Sequence, residues 1–140
     1  DLAREVNMPV VIHSREAAAD TMNILKEKNA GDMGGVIHCY SYSAEQAREY
    51  VKMGFFIGIG GVVTFKNSRK LKETALAVPI ESIVLETDCP YLAPVPYRGQ
   101  RNSSLYLPLV AKAIAGIKGI DVSEVIAVTE KNAERLYRLG

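Results

Sequence analysis

Two histidines occur among the 140 residues, and each closes an identical apolar triplet, Val11-Ile12-His13 and Val36-Ile37-His38. A third apolar run, Ile83-Val84-Leu85, leads into Glu86-Thr87-Asp88 and places a carboxylate at an equivalent point. A lone histidine at a strand end is commonly structural. Two in matching positions, joined by an aspartate, point elsewhere. Imidazole and carboxylate at the carboxyl edge of neighbouring parallel strands open into one shared mouth, where divalent metals and reacting groups collect. His13, His38 and Asp88 are therefore the candidate metal ligands. Mixed His and carboxylate donors suit zinc, manganese and, less readily, magnesium.

Side chains alternate along a strand, so His13 shares a face with Val11, and His38 with Val36. Glu86 shares the face of Asp88, one layer deeper. A carboxylate at that depth is costly unless paired or close to a cation. Glu86 thus reads either as a group orienting a metal ligand or as a buried ion-pair partner. Cys39 and Cys89 each follow a candidate ligand and are expected to point away as small apolar packing.

The elements that must carry these groups alternate between β-rich and helical stretches, the pattern of βαβ units around a parallel sheet. Strands are predicted at Val10 to His13, Val36 to His38, Phe55 to Ile59, and Ile83 to Glu86. Helical spacing of Ala18, Met22 and Leu25 places a helix from Arg15 to Lys28. Ser43-Ala44-Glu45-Gln46 fits a capping box opening a helix that runs to Met53, where Gly54 ends it. A third helix from Ser68 to Ala77 stops near Pro79. Pro90 to Asn102, rich in proline and glycine, is a loop. Helices then occupy Ser104 to Ile117, Val122 to Val128, and Lys131 to Leu139. Asp1 to Val6 reads as the last turns of a helix delivering the chain into the first strand.

A repeat of roughly 20 to 30 residues matches the unit of a (β/α) barrel, and a full barrel takes about 250 residues. The expected fold class is therefore α/β, a partial (half) TIM barrel with about four parallel strands and flanking helices. An open doubly wound sheet is the alternative. Gly58, Gly60 and Gly61 lack the dinucleotide fingerprint. They mark either close approach to a substrate or room inside a narrow barrel.

At 48% hydrophobic the chain can build one core, and a net charge of +1 shows no overall bias toward nucleic acid, membrane or acidic partners. Two distant cysteines form no disulfide framework, and neither a signal peptide nor a long apolar span is present, which leads us to expect a cytoplasmic protein. On the loop after Asp88, Arg98 and Arg101 suit an anionic substrate through bidentate guanidinium bonds. Tyr91 or Tyr97 could stack on a base.

Several motifs together carry a family resemblance: Pro9-Val10-Val11-Ile12-His13-Ser14-Arg15-Glu16-Ala17, His38-Cys39-Tyr40-Ser41 and Gly60-Gly61-Val62-Val63-Thr64-Phe65 in the first half. Glu86-Thr87-Asp88-Cys89-Pro90-Tyr91-Leu92-Ala93-Pro94, Arg98-Gly99-Gln100-Arg101-Asn102 and Asn132-Ala133-Glu134-Arg135-Leu136 follow in the second. In this order they resemble the successive motifs of the TatD family of metal-dependent DNases, along essentially the whole chain. The resemblance implies a TIM-barrel hydrolase of the amidohydrolase-like superfamily that cleaves DNA phosphodiester bonds with divalent metal. His13 and His38 match the family's metal-binding histidines, and Asp88 the aspartate at its last strand. Arg15, Arg98, Arg101 and Tyr91 are then the candidate substrate-binding residues.

The family's remaining ligands, an amino-terminal His-x-His pair and a glutamate from a middle strand, have no counterpart here. Residues 1–140 are thus expected to form the carboxyl-terminal part of a single domain whose amino-terminal half is missing, with weak metal binding and little turnover. Metals would lower the pKa of a bound water and offset charge on the leaving oxygen. Asp88, able to accept a proton from water, is the candidate catalytic base. Half a barrel exposes two strand edges and an apolar face, so self-association is expected. A metal-dependent amide or ester hydrolase and an inactive fragment are the competing readings.

Overall fold

The computed structural model describes residues 1–139. Strands β1 (Val10–His13), β2 (Gly35–His38), β3 (Phe55–Ile59) and β4 (Ile83–Leu85) form one parallel sheet in the order β1-β2-β3-β4. A single turn, α1 (Leu2–Glu5), precedes β1. Helices α2 (Ala18–Glu27), α3 (Ala44–Lys52) and α4 (Arg69–Ala77) connect successive strands, and α5 (Leu107–Lys118) and α6 (Val122–Tyr137) follow the loop after β4.

The helix ends show why these segments form where they do. Ser43 Oγ accepts the Gln46 N–H at 3.3 Å and opens α3. The reciprocal bond expected from the Gln46 side chain is absent among the described residues. Glu45 leans on its own N–H and on Ser43 instead, which holds its carboxyl below the usual range. Gly119, at φ 68, closes α5 in the left-handed conformation that glycine adopts without steric cost.

Three sequence expectations change. Helix α2 starts at Ala18, not Arg15, because Ser14 Oγ is bonded to Thr21 Oγ1 at 2.8 Å and to the Tyr42 hydroxyl at 2.9 Å, while that hydroxyl also accepts the Ala17 N–H at 3.2 Å. With Glu16 at φ 54, residues 15–17 are held as a loop. Residues 122–137 form one helix, not two. The buried Thr129 hydroxyl donates to the Val125 carbonyl at 2.7 Å and is satisfied within the helix, so nothing there breaks it. Ser104–Tyr106 is a 3-10 turn capped by Ser103, and the α-helix begins only at Leu107.

The two faces of the sheet differ, and this decides between the architectures. Ile37, Ile57, Ile59 and Ile83 face the helices in the main core with Tyr50, Leu71, Val110 and Ile114. Each such side chain removed from water contributes about 1.5–3 kcal/mol. On the opposite face Val36 and Val84 are buried with Phe56 under the end of α6, at Leu136 and Arg135, and Val11 is 59% exposed. A doubly wound sheet carries helices on both faces. A helix layer on one face and only the end of one helix on the other is the cover of a barrel segment whose second face looks toward the axis.

Beneath the sheet, α6 ties the ends of the chain together. The Asn132 side-chain amide donates to the Ile80 and Ile83 carbonyls at 2.8 and 2.7 Å, and Arg135 lies 5.2 Å from the Phe56 ring centroid. Arg138 donates to the Asn7 and Met33 carbonyls, which precede β1 and β2.

Candidate metal centre

In the parallel ladder His13 is the register partner of His38, so adjacent strands end in adjacent imidazoles. Their ring centroids are 6.2 Å apart. Glu86 lies beyond the last residue of β4, two strands away from β2, yet reaches His38 directly: Nδ1 to Oε2 is 2.7 Å. The other carboxylate oxygen accepts the Cys39 N–H. This crossing depends on Gly58 of the intervening β3. A Cβ there would stand 2.6 Å from the Glu86 carboxyl carbon and both its oxygens. Sequence left this glycine open between substrate approach and interior room, and the structure fills the room with the Glu86 side chain.

His38 uses Nδ1 toward Glu86 and turns Nε2 toward Asp88, 3.5 Å from Oδ1. Burial pushes the His38 pKa down, but the two carboxylates outweigh it and raise it above the ordinary value. Burial raises Glu86, against the opposing pull of His38 and the Cys39 N–H. The imidazole sits between a deep and a shallow carboxylate, the arrangement that fixes a histidine's tautomer and turns the other nitrogen to Asp88; of the two imidazoles, His13 lines the mouth and His38 does not.

That mouth is a pocket of about 240 Å³ whose lining includes His13, Arg15, Gly60, Glu86, Asp88 and Leu92. Cys39 lines it too. Alternation predicts that it points away, but the chain leaves the strand at Cys39 with φ 50, and strand alternation lapses there. Burial, then Glu86 and Asp88, push its thiol up to about 11, so it stays protonated near neutral pH.

The structure gathers His13, His38, Asp88, Glu86 and Arg15 at one rim. It leaves Tyr91, Arg98 and Arg101 outside the mouth, on the loop beyond Asp88. Tyr91 is 68% exposed, and its N–H bonds the Asp88 carbonyl at 2.7 Å. Arg98 stacks with its guanidinium carbon 4.1 Å from the Phe65 ring centroid. The loop is anchored where Val95 N–H donates to Thr64 Oγ1 at 2.8 Å and where the Leu92 carbonyl lies against Gly61, at a distance a Cβ would forbid.

Sequence reasoning missed Tyr42. Through Ser14 and Ala17 it fastens the loop after β1 to the loop after β2, and so holds the His13 rim to the His38 rim. Nothing in its local pattern signals this.

Two imidazoles and a carboxylate, with a second carboxylate behind one imidazole, fit a divalent cation in chemistry. The set is not closed: among the described residues no three His, Cys, Asp or Glu side chains stand close enough to hold an ion by themselves.

A parallel sheet with a helix layer on one face and such donors at its carboxyl rim defines a partial TIM barrel. Comparison with known proteins agrees. The chain belongs to the TatD family, since the family described as TatD related DNase matches residues 1–138. It is 47% identical over 139 residues to YabD of Bacillus subtilis, an uncharacterized metal-dependent hydrolase, covering 99% of this chain and 54% of the relative. Identity to the 3'-5' ssDNA/RNA exonuclease TatD of Rahnella is 32% over 144 residues, covering 99% and 55%. The crystal structure of the Escherichia coli TatD homolog YJJV superposes with a TM-score of 0.91 at 27% identity, over 99% of this chain and 53% of that one. The chain spans about half the length of these relatives.

Proposed function

We propose that the protein to which these residues belong is a TatD-type deoxyribonuclease that cleaves phosphodiester bonds in DNA with the aid of divalent metal. The observation that carries this reading is the His38 imidazole held at Nδ1 by Glu86 with Nε2 turned toward Asp88, which itself lines the mouth. His13, His38 and Asp88 are the metal-holding residues, and Glu86 is the positioning residue behind His38. Zinc, manganese or magnesium would act there as a Lewis acid toward the phosphoryl oxygen.

This chain's own residues supply the rest. Asp88, the more exposed of the two carboxylates, takes the proton of the attacking water. Arg15 meets the phosphate at the mouth. Arg98 and Arg101 engage flanking phosphates, and the exposed Tyr91 ring stacks on a base. The named activity of the Rahnella relative, exonucleolysis of single-stranded DNA and RNA, supports a nucleic-acid substrate.

The test is degradation of single-stranded DNA with each of the three metals added in turn. Metal-dependent cleavage that disappears in His38→Ala supports the proposal. Turnover of small esters or amides but not DNA would transfer the site to the other hydrolase class.

A further inference from the structure

A net charge of +1 conceals a strong separation of charge. Residues 65–72 and 89–120 contain no aspartate or glutamate. The first segment carries Lys66, Arg69, Lys70 and Lys72. The second carries Arg98, Arg101, Lys112 and Lys118. Eight of the 17 basic residues and none of the 16 acidic ones fall there, leaving nine basic against 16 acidic in the remainder. The two segments therefore hold +8 and the rest of the chain −7.

The fold brings these segments together. Arg98 stacks on Phe65, Val95 N–H is bonded to Thr64, and α4 packs on α5. Between the 3-10 turn Gly61–Thr64 and α5 runs an open groove of about 410 Å³, with Lys72 and Lys112 on its walls and Val95 and Leu109 on its floor. The turn has two sides. Gly61 and Val62 line the mouth, whereas Val63 and Thr64 line this groove. Mouth and groove are thus one short turn apart, with the Leu92–Val95 stretch of the loop shared between them.

Few of the cations are neutralised. Arg69 pairs with Glu73, and Lys118 donates to the Val78 carbonyl at the far end of α5, outside the groove. Lys66, Lys70, Arg98, Arg101 and Lys112 are exposed and form no salt bridge among the described residues. A groove walled by Lys72 and Lys112, lined by no carboxylate and flanked by Arg98 on Phe65, matches a linear polyanion that carries flat apolar groups.

We propose that this outer groove is a second binding surface, a track for the single-stranded polynucleotide several nucleotides away from the bond being cut. It deepens the nuclease reading in one respect, that the strand on the track is the strand at the rim. Phosphates spaced along the chain meet Lys72 and Lys112 beyond the reach of Arg15. Long strands therefore bind more tightly than short ones, and the excess affinity is salt-sensitive.

The experiment measures binding of the chain to fluorescent oligothymidylates of about 4 and about 16 nucleotides across a salt series, in chelator. The expected result is tighter binding of the longer strand. In Lys72→Gln/Lys112→Gln the slope of log affinity against log salt should shrink by about 1.4 for the long strand, about 0.7 per lost phosphate contact, and stay unchanged for the short one. A control, Lys28→Gln/Lys131→Gln, removes the same charge from the acidic remainder and should leave both slopes alone. Equal slopes in groove variant and wild type, or an equal fall in the control, would overturn the track. Competition by polyglutamate as strong as by oligothymidylate would overturn it in favour of an acidic protein partner. Because binding is read without metal, and in His38→Ala as well, its failure is distinguishable from failure of the cleavage assay.

Discussion

At the scale of single residues, the candidate centre rests on a histidine whose orientation is imposed from behind. Glu86 can hold His38 only because Gly58 leaves its path open, so the glycine and the carboxylate act as one device. The Gly58→Ala substitution should displace the Glu86 carboxylate, since that group is pinned by both His38 and the Cys39 N–H and cannot swing aside. Metal affinity measured by calorimetry is expected to fall about 10- to 100-fold, the usual cost of losing an outer partner of a ligating histidine. Glu86→Gln should show a similar loss without the steric insult. Unchanged affinity in both variants would remove Glu86 from the site.

At the scale of elements, β1 and β2 present their imidazoles side by side by register alone, and Tyr42 then locks the loops that follow them. The other end of the sheet is held by α6. Asn132 supplies donors to two carbonyls at the entry to β4; that of Ile80 also accepts the Ile83 N–H, whereas the buried Ile83 carbonyl takes its side-chain donor from Asn132. Asn132→Ala should destabilise the chain by about 1–3 kcal/mol, the cost of leaving the buried Ile83 carbonyl unpaired, read as a lower urea midpoint at constant slope. These elements were only partly legible beforehand. The strands and α4 follow directly from apolar triplets, Ser68 and Pro79, whereas the late start of α2 depends on Tyr42, 25 residues beyond Ala17. Continuity through Thr129 was hidden for a different reason: a polar residue in a helix looks like a break unless its hydroxyl is known to bond within the helix.

At the scale of the whole molecule, the sheet has one face under a helix layer, the other under only the end of α6, and, among the described residues, two unpaired edges, β1 and β4. Val6, Met8 and Val11 are more than half exposed beside the β1 edge. Edge strands next to exposed apolar side chains favour association. Sedimentation of the chain should therefore show concentration-dependent oligomers, and a stable monomer at micromolar concentration would refute this. No helix among the described residues is long and apolar enough to cross a membrane. The charge division was legible in the sequence but lost in the average, because a net value of +1 says nothing about whether like charges cluster. The packing of Phe65 under Arg98 makes two separate basic segments into one surface.

Strand positions, their parallel sense and the placing of His13, His38 and Asp88 at or just beyond strand ends could be read from the chain because strands and helices show in short-range periodicity, two residues for a strand and 3.6 for a helix. Which carboxylate stands behind which histidine could not. The Glu86–His38 contact joins residues 48 apart across an intervening strand, and Arg138 reaches Asn7 over 131 positions. Such pairings are set by inter-strand register, by the space a glycine leaves and by the way α6 closes the base of the sheet. None of these is a local property of the sequence, so three-dimensional packing alone settled them.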